Sequence, residues 1–125
     1  MIKDIIQISI PSKPDYISLV RLTASGIAHS MALNIEDIED IKVCIGEACI
    51  NVLSLETSEE ISLVFEVDEN KLCIKINDVK ENIPKKLDES KERELGLLII
   101  KSIMDEVKFT EKGIEMIKYV EADSQ

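Results

Sequence analysis

The sequence predicts a two-layer α/β sandwich, in which helices cover one face of a mixed, mainly antiparallel sheet. Apolar and polar residues alternate in several short segments, as they do in half-buried strands. Hairpin-type turns separate some of these segments, and longer segments between them repeat apolar residues at helical spacing. The 125 residues are enough to bury one core, so we expect a single domain over residues 1–125.

Five strands follow from the alternating segments. The pattern predicts them at residues 2–10, 60–67, 72–77, 105–110 and 114–121. Residues 68–70 and 111–113 are turn-forming and connect two pairs of strands as hairpins. Because hairpins join antiparallel neighbours, the sheet is expected to be mainly antiparallel.

Three helices follow from the helical spacing. They are predicted at residues 12–31, 34–55 and 95–104. The expected buried face of the first helix consists of Tyr16, Leu19, Val20, Thr23, Ile27 and Met31. Ser12 and Asn34 are the expected helix caps, because their side chains can accept a backbone N–H. The charged residues 78–94, which include Pro84, are expected to form a long loop or lid.

The charge of the chain limits its partners. The formal net charge is −10, with 25 acidic and 15 basic residues. Phosphate backbones are bound by clustered lysine and arginine, so we expect no direct nucleic acid partner. An acidic surface favours a basic protein partner, although solubility alone explains most of these carboxylates.

Cysteine usage and hydropathy indicate a cytoplasmic protein. Cys44, Cys49 and Cys73 have no CxxC spacing and are expected to be buried free thiols in a reducing compartment. The single histidine, His29, has no spaced partners, so a histidine–cysteine metal site is not expected. The sequence has no signal-peptide pattern and no apolar run near the ~20 residues of a membrane helix, so no membrane partner is expected.

The best candidate site lies on the second predicted helix. Glu47 and Asn51 are four residues apart and therefore share one helix face, one turn from each other. A carboxylate at a cleft can act as a general base, and an amide oxygen beside it can ligate Mg²⁺. From spacing alone, an ordinary polar pair on an exposed helix surface is the more common explanation.

The residues around this pair resemble a known family. Residues 41–51, IKVCIGEACIN, are similar to the first ATP-site motif of the GHKL (histidine-kinase-like) ATPase superfamily, and most closely to that of bacterial anti-sigma-factor serine/threonine kinases. Other stretches resemble these proteins in the same order: IP and VRLT at 10–11 and 20–23, LGL and MDEV at 95–97 and 104–107, and MIKY at 116–119. The resemblance covers nearly the whole chain and implies the GHKL ATPase (Bergerat) fold.

The resemblance implies roles for four residues. Glu47 matches the general base that activates the attacking hydroxyl, and Asn51 matches the Mg²⁺ ligand that helps to hold the triphosphate. Asp78 matches the aspartate that accepts a hydrogen bond from the adenine amino group. Gly96 matches a glycine at the phosphate-facing start of the third helix, where free N–H groups bind phosphate. The resemblance also implies ATP and Mg²⁺ as cofactors, a sigma factor and an anti-anti-sigma antagonist as partners, and a homodimer.

The nucleotide-binding motifs depart from the family pattern. Lys80 stands where a glycine usually follows the adenine aspartate, and a side chain there is expected to crowd the adenine pocket. Glycines that usually precede Gly96 are missing. Glu94 is expected to add negative charge near the phosphates, which Arg93 would partly offset. Ile117 stands where the last strand usually carries a threonine.

These departures leave two function classes open. In the first, a serine kinase and anti-sigma factor, Glu47 deprotonates a serine of an antagonist while Mg²⁺ on Asn51 offsets the triphosphate charge. The second is a catalytically degraded, non-enzymatic partner-binding module with weak or no ATP binding. A stand-alone ATPase subunit with a phosphotransfer partner agrees less well with the weak glycine boxes. Residues 78–82 and 93–96 distinguish these classes. If this region cannot accept ATP, the kinase interpretation fails.

Overall fold

A computed structural model describes residues 2–55, 58–81 and 89–121 of the chain. The elements in chain order are β1 (Ile2–Pro11), α1 (Ile17–Ser30), α2 (Ile35–Leu53), β2 (Glu60–Asp68), β3 (Lys71–Asn77), α3 (Glu89–Ile103), β4 (Glu106–Phe109) and β5 (Gly113–Tyr119). The predicted order of strands and helices is confirmed. Within the described ranges, none of the helices is long and apolar enough to cross a membrane.

The strands form one sheet in the order β1-β2-β3-β5-β4. Every strand pairing in the described part of the chain is antiparallel, so the mainly antiparallel sheet is confirmed, and no parallel pair is found there. The reason is that α1 and α2 return the chain to the end of the sheet where β1 stops, and Pro11 therefore pairs with Glu60. The segment that contains α3 and β4 does the same for β3 and β5, so that Asn77 pairs with Gly113.

One face of the sheet is buried under the helices. Alternate residues of the central strands belong to the core: Ile61, Leu63 and Phe65 of β2, Leu72, Ile74 and Ile76 of β3, and Ile114 and Met116 of β5. The helix residues Val20, Ile41 and Ile45 belong to the same cluster and are fully buried. Helix α2 contacts both α1 and α3. It is therefore the central helix, and a residue at its edge can face the cleft toward α3.

Two predictions about α1 are wrong. Ser12 does not cap it, because a 3₁₀ turn at Pro14–Tyr16 precedes the helix and the Ser12 N–H donates to the Glu59 carbonyl at 2.9 Å. Tyr16 and Leu19 are 40% and 49% exposed instead of buried, since the face turned to the core carries Val20, Ala24, Ile27 and Ala28. By contrast, the predicted cap of α2 is confirmed, and Asn34 accepts a hydrogen bond from the Asp37 N–H at 2.8 Å.

The predicted start of α3 is also wrong. The helix begins at Glu89 and not near Leu95. Residues 89–94 are mostly glutamate, lysine and arginine, which are good helix formers although they supply no apolar stripe. The part of the predicted loop at residues 82–88, including Pro84, lies outside the described residues. Six residues that were expected in the loop therefore extend α3 toward the candidate site.

The β3–β5 pairing requires a glycine at the first residue of β5. A Cβ atom on Gly113 would overlap the carbonyl oxygen of Ile76 and lie 2.9 Å from the Cα atom of Asn77. The preceding residue, Lys112, accepts a hydrogen bond from the Asp78 N–H at 2.7 Å. This hairpin therefore determines where the chain leaves β3 and turns toward the site.

Candidate active site

Helix α2 carries two of the four predicted site residues, Glu47 and Asn51, and both face one cleft. Glu47 is partly exposed there, whereas Asn51 is buried, with 3% of its surface exposed. The cleft between α2 and α3 holds a cavity of about 160 Å³. Its lining residues are Glu47, Ile50, Asn51, Ser54, Glu92, Arg93 and Gly96. Three of the four predicted site residues, Glu47, Asn51 and Gly96, therefore share one cavity.

Gly96 lies directly against the Glu47 side chain. A Cβ atom at this position would lie 2.8 Å from Glu47 Oε1 and 3.7 Å from Glu47 Cβ. Because any larger residue would push on the carboxylate, glycine permits α3 to approach α2 this closely. Gly96 is in the interior of α3, beyond the first four residues whose N–H groups are free of helical bonds. The prediction that Gly96 starts the helix is wrong, and a phosphate site on free N–H groups does not form around it in this conformation.

The Asn51 carboxamide contacts the chain that follows β3. Its Nδ2 atom donates to the Lys80 carbonyl at 3.5 Å, and the Lys80 N–H donates to Asn51 Oδ1 at 3.3 Å, across a sequence separation of 29 residues. Both distances are long for N–H···O hydrogen bonds, which are most often about 2.9 Å. The position that was expected to disturb the adenine pocket through its side chain therefore contacts the predicted metal ligand through its backbone.

Asp78 begins the segment that leads to this contact. Among the described residues it is not one that lines the cavity, and its side chain is exposed. It has a φ angle of +69°, which aspartate tolerates better than most residues, and its N–H is held by Lys112. The next residue, Val79, is buried. The position of Asp78 is thus fixed from both sides, and its adenine-binding role stays a prediction.

The cavity contains more negative than positive side chains. Glu47 and Glu92 face one basic residue, Arg93. Glu92 lines the cavity and Glu94 does not, because residues 92, 93 and 96 share one face of α3. The same helical spacing would have identified Glu92 from the sequence if α3 had been predicted to start at Glu89. A triphosphate at this site would need a cation to offset both carboxylates.

The donor groups fit Mg²⁺ shared with phosphates, whereas the cavity lined by these seven residues is smaller than typical ligand pockets. Mg²⁺ commonly takes one or two oxygen ligands from a protein and the rest from phosphates and water, and Asn51 Oδ1 is an oxygen of the kind that Mg²⁺ prefers. No group of three or more His, Cys, Asp or Glu residues in the described ranges could hold a metal without phosphate. The cavity of about 160 Å³ is below the ~300–1,000 Å³ of typical ligand pockets.

The cysteines supply no nucleophile to the site. All three are free and buried, as predicted. Burial, together with the charge of Asp40, raises the pKa of Cys44 to about 12, and burial raises the pKa of Cys49 to about 12. Because the thiolate is the reactive form, both residues are unreactive thiols near neutral pH. Of the residues lining the cavity, Glu47 and Glu92 carry the carboxylates that can take a proton.

Comparison with known proteins identifies the family. Residues 10–118 match the model of the histidine kinase-like ATPase domain. The chain is 33% identical to the serine-protein kinase RsbW of Bacillus thuringiensis (strain Al Hakam), over 94% of this chain and 86% of that protein. It is 31% identical to the serine-protein kinase RsbW of Bacillus velezensis, over 96% of this chain and 88% of that protein. The chain belongs to the histidine kinase-like ATPase domain family, and the predicted relationship to the anti-sigma-factor serine kinases is confirmed.

Proposed function

We propose that this protein is an anti-sigma-factor-like regulator that uses ATP to phosphorylate a serine or threonine of an antagonist protein. A sigma factor is its second partner. The observation that carries the proposal is the meeting of Glu47, Asn51 and Gly96 at one cavity between α2 and α3. The similarity to proteins named serine-protein kinases supports the same activity.

Each of the four predicted residues has a separate task in this proposal. Glu47 accepts the proton of the attacking hydroxyl, and its carboxylate keeps its place because Gly96 leaves room for it. Asn51 gives its amide oxygen to Mg²⁺. Asp78 accepts the hydrogen bond of the adenine amino group. When bound, ATP supplies the phosphoryl group, and Mg²⁺ offsets its negative charge.

We also propose a cytoplasmic location and a homodimer. Three free, buried thiols suit a reducing compartment. The net charge of −10 favours a basic surface on the partner. Light scattering tests the homodimer, because one chain has a mass of 14.1 kDa. A measured mass of a single chain at working concentrations would contradict it.

The first test is isothermal titration with ATP and ADP, with and without Mg²⁺. Wild-type protein is expected to bind more tightly when Mg²⁺ is present. Asn51→Ala should lose this Mg²⁺-dependent gain, because it removes the proposed ligand, whereas the control Asn70→Ala changes an exposed asparagine in the β2–β3 turn and should keep it. Glu47→Gln should keep nucleotide binding but lose phosphoryl transfer to an antagonist by roughly 10²–10⁴-fold.

The second candidate function is a non-enzymatic partner-binding module of the same fold. The Lys80 backbone on Asn51 and the second carboxylate, Glu92, in a small cavity favour it. The same titration separates the two functions. If neither nucleotide binds at millimolar concentration with or without Mg²⁺, the kinase proposal is excluded, and binding to partner proteins is the remaining activity.

A further inference from the structure

We propose that residues 78–81, named here the post-β3 latch, compete with Mg²⁺ and nucleotide for Asn51, and that the Glu81–Lys101 ion pair controls this competition. The inference rests on the proposed function, because it assigns a regulatory state to the same nucleotide site. In the latched state the chain itself occupies the ligand-binding amide. Nucleotide binds only after the latch has moved.

The first argument is the contact of the latch with Asn51. The amide is almost fully buried, and both its nitrogen and its oxygen contact the backbone of Lys80, at 3.5 and 3.3 Å. Mg²⁺ binds with near-octahedral geometry and keeps several waters, so it needs open space on the oxygen side of its ligand. The Lys80 backbone lies in that space. The Lys80 N–H uses one lone pair of Asn51 Oδ1 and crowds the space in front of it, so the latch and a metal ion compete for this oxygen.

The second argument is the size of the cavity. Its volume of about 160 Å³ is roughly half the lower limit of typical ligand pockets, ~300 Å³. The walls are the early part of α3, with Glu92 and Arg93, and the part of α2 that carries Glu47 and Asn51. A nucleotide therefore needs the early part of α3 to move away from α2, and the latch is attached to α3 through the Glu81–Lys101 pair.

The third argument is the way the latch is held. At one end the Asp78 N–H donates to Lys112, and the Val79 side chain is buried with 2% of its surface exposed. At the other end Glu81 pairs with Lys101 of α3 at 2.6 Å. The Lys101 ammonium also lies over the Phe109 ring, 5.5 Å from its centroid. The latch thus connects α2 to α3 through two polar contacts, one at Lys80 and one at Glu81.

These polar contacts are weak enough to open. The hydrogen bonds to Asn51 are long, and the ion-pair side chains are 41% and 45% exposed, so water and salt weaken their attraction. When only an open state binds a ligand, the apparent affinity falls in proportion to the open fraction. Breaking the ion pair should therefore increase the open fraction and tighten nucleotide binding.

The test compares Mg²⁺–ADP binding by isothermal titration at low ionic strength for wild type, Lys101→Met and Glu81→Gln. Each substitution removes the ion pair, so both variants are expected to bind about two- to fivefold more tightly than wild type. The two substitutions remove charges of opposite sign. A direct electrostatic effect on the anionic nucleotide would move the two affinities in opposite directions, whereas the latch moves both in the same direction.

Matched controls and a rescue complete the test. Lys108→Met and Glu111→Gln remove the same charges from exposed positions of the β4–β5 hairpin and should leave the affinity unchanged. The double reversal Glu81→Lys with Lys101→Glu restores an ion pair and should return the affinity toward wild type. If wild type binds but the latch variants match their controls or shift in opposite directions, the latch is wrong and the nucleotide site survives. If no variant binds, the proposed function fails as well.

Discussion

At the scale of single residues, replacing Gly96 is expected to change stability and activity in opposite directions, because Gly96 contacts Glu47. Glycine inside a helix lowers stability by roughly 1 kcal/mol relative to alanine. At Gly96 an alanine would gain that stability and would place its Cβ 2.8 Å from Glu47 Oε1. The carboxylate is the end of a flexible side chain, so it would turn aside without unfolding the helix. Glycine at position 96 therefore leaves room for the Glu47 carboxylate at some cost to the stability of α3.

Gly96→Ala is expected to fold with a free energy of unfolding within about 1 kcal/mol of wild type. Phosphoryl transfer to the antagonist should fall by about 100-fold, because a displacement of the base near 1 Å is enough for such a loss. Gly46→Ala is the control, since the nearest atom to its added Cβ is Arg21 Cδ at 3.9 Å. Steady-state kinetics and urea unfolding of both variants measure the two effects, and equal transfer rates would refute the role given to Gly96.

The same residues show which contacts a sequence can predict. Glu47 and Asn51 are four positions apart, so helical geometry alone places them on one face. The contact of Asn51 with Lys80 joins a side chain to a backbone 29 residues away. Almost any residue type can make a backbone contact, so the sequence does not reveal it. The approach of Gly96 to Glu47 depends on the packing of α3 on α2, which spacing along the chain does not determine.

At the scale of elements, the cap of α2 supports the helix on which the site depends. Asn34 Oδ1 accepts the Asp37 N–H at 2.8 Å, and Glu36 and Asp37 place negative charge in the first turn, where the helix dipole favours it. Glu47 and Asn51 follow several turns later on the same helix. The cap therefore stabilises the helix without touching the cavity.

Asn34→Ala is expected to lower the free energy of unfolding by about 1 kcal/mol, because one helix N–H loses its acceptor. Mg²⁺–ADP affinity should not change at temperatures where the variant is fully folded. Asn34→Asp retains an acceptor and should retain most of the stability. Urea unfolding followed by circular dichroism measures the loss. A change in nucleotide affinity without a change in stability would show that the cap acts on the site directly.

Helix α3 illustrates a limit of hydrophobic periodicity. Its second half carries the buried residues Leu97 and Ile100, and that half was predicted. Its first two turns have few apolar residues, so no apolar stripe marks them as helical. Their intrinsic helix propensity nevertheless remains high. In α1 the opposite error occurs, since Leu19 continues an apolar stripe but is exposed. Hydrophobic periodicity thus misses helical turns that have few apolar residues, and an apolar stripe can extend beyond the face that is buried.

At the scale of the whole molecule, Lys118 connects the sheet to two helices at the end of α2 that lies away from the cavity. Its side chain is 8% exposed, and its Nζ atom donates to the Ile103 carbonyl at 3.1 Å. Three carboxylates lie within 4 Å of it, those of Asp37 and Asp40 on α2 and that of Asp105 after α3, at 3.6, 3.8 and 3.8 Å. One buried ammonium thus offsets acidic groups from separate parts of a chain whose net charge is −10.

Lys118→Met is expected to lower the free energy of unfolding by about 2 kcal/mol, because it leaves a partly buried carbonyl and three carboxylates without their cation. The loss should be smaller than the ~3–5 kcal/mol of a fully buried pair, since these carboxylates are partly exposed. Lys75→Met is the control: its partner is Glu66 at 3.0 Å, and its side chain is 38% exposed. That variant should lose no more than about 1 kcal/mol in urea unfolding. Equal losses would contradict the role assigned to Lys118.

The topology was predictable only in part. Tight turns after β2 and after β4 indicate the hairpins β2–β3 and β4–β5, since strands joined by short turns pair with each other. The pairings β1–β2 and β3–β5 join strands separated by helices, and alternation along one strand carries no information about such a neighbour. These two pairings were therefore not predicted from the sequence, and the structure establishes them.

Gly113 has a consequence for genetics. It lies in the sheet and does not line the cavity, yet any side chain there would collide with the end of β3 at Ile76 and Asn77. The neighbouring Lys112 carbonyl holds Asp78. A damaged hairpin would therefore displace the segment that carries Asp78. A mutant screen for loss of the proposed activity would recover codon 113 beside codons 47 and 51, so a map of phenotypes would extend beyond the cavity onto the β4–β5 hairpin.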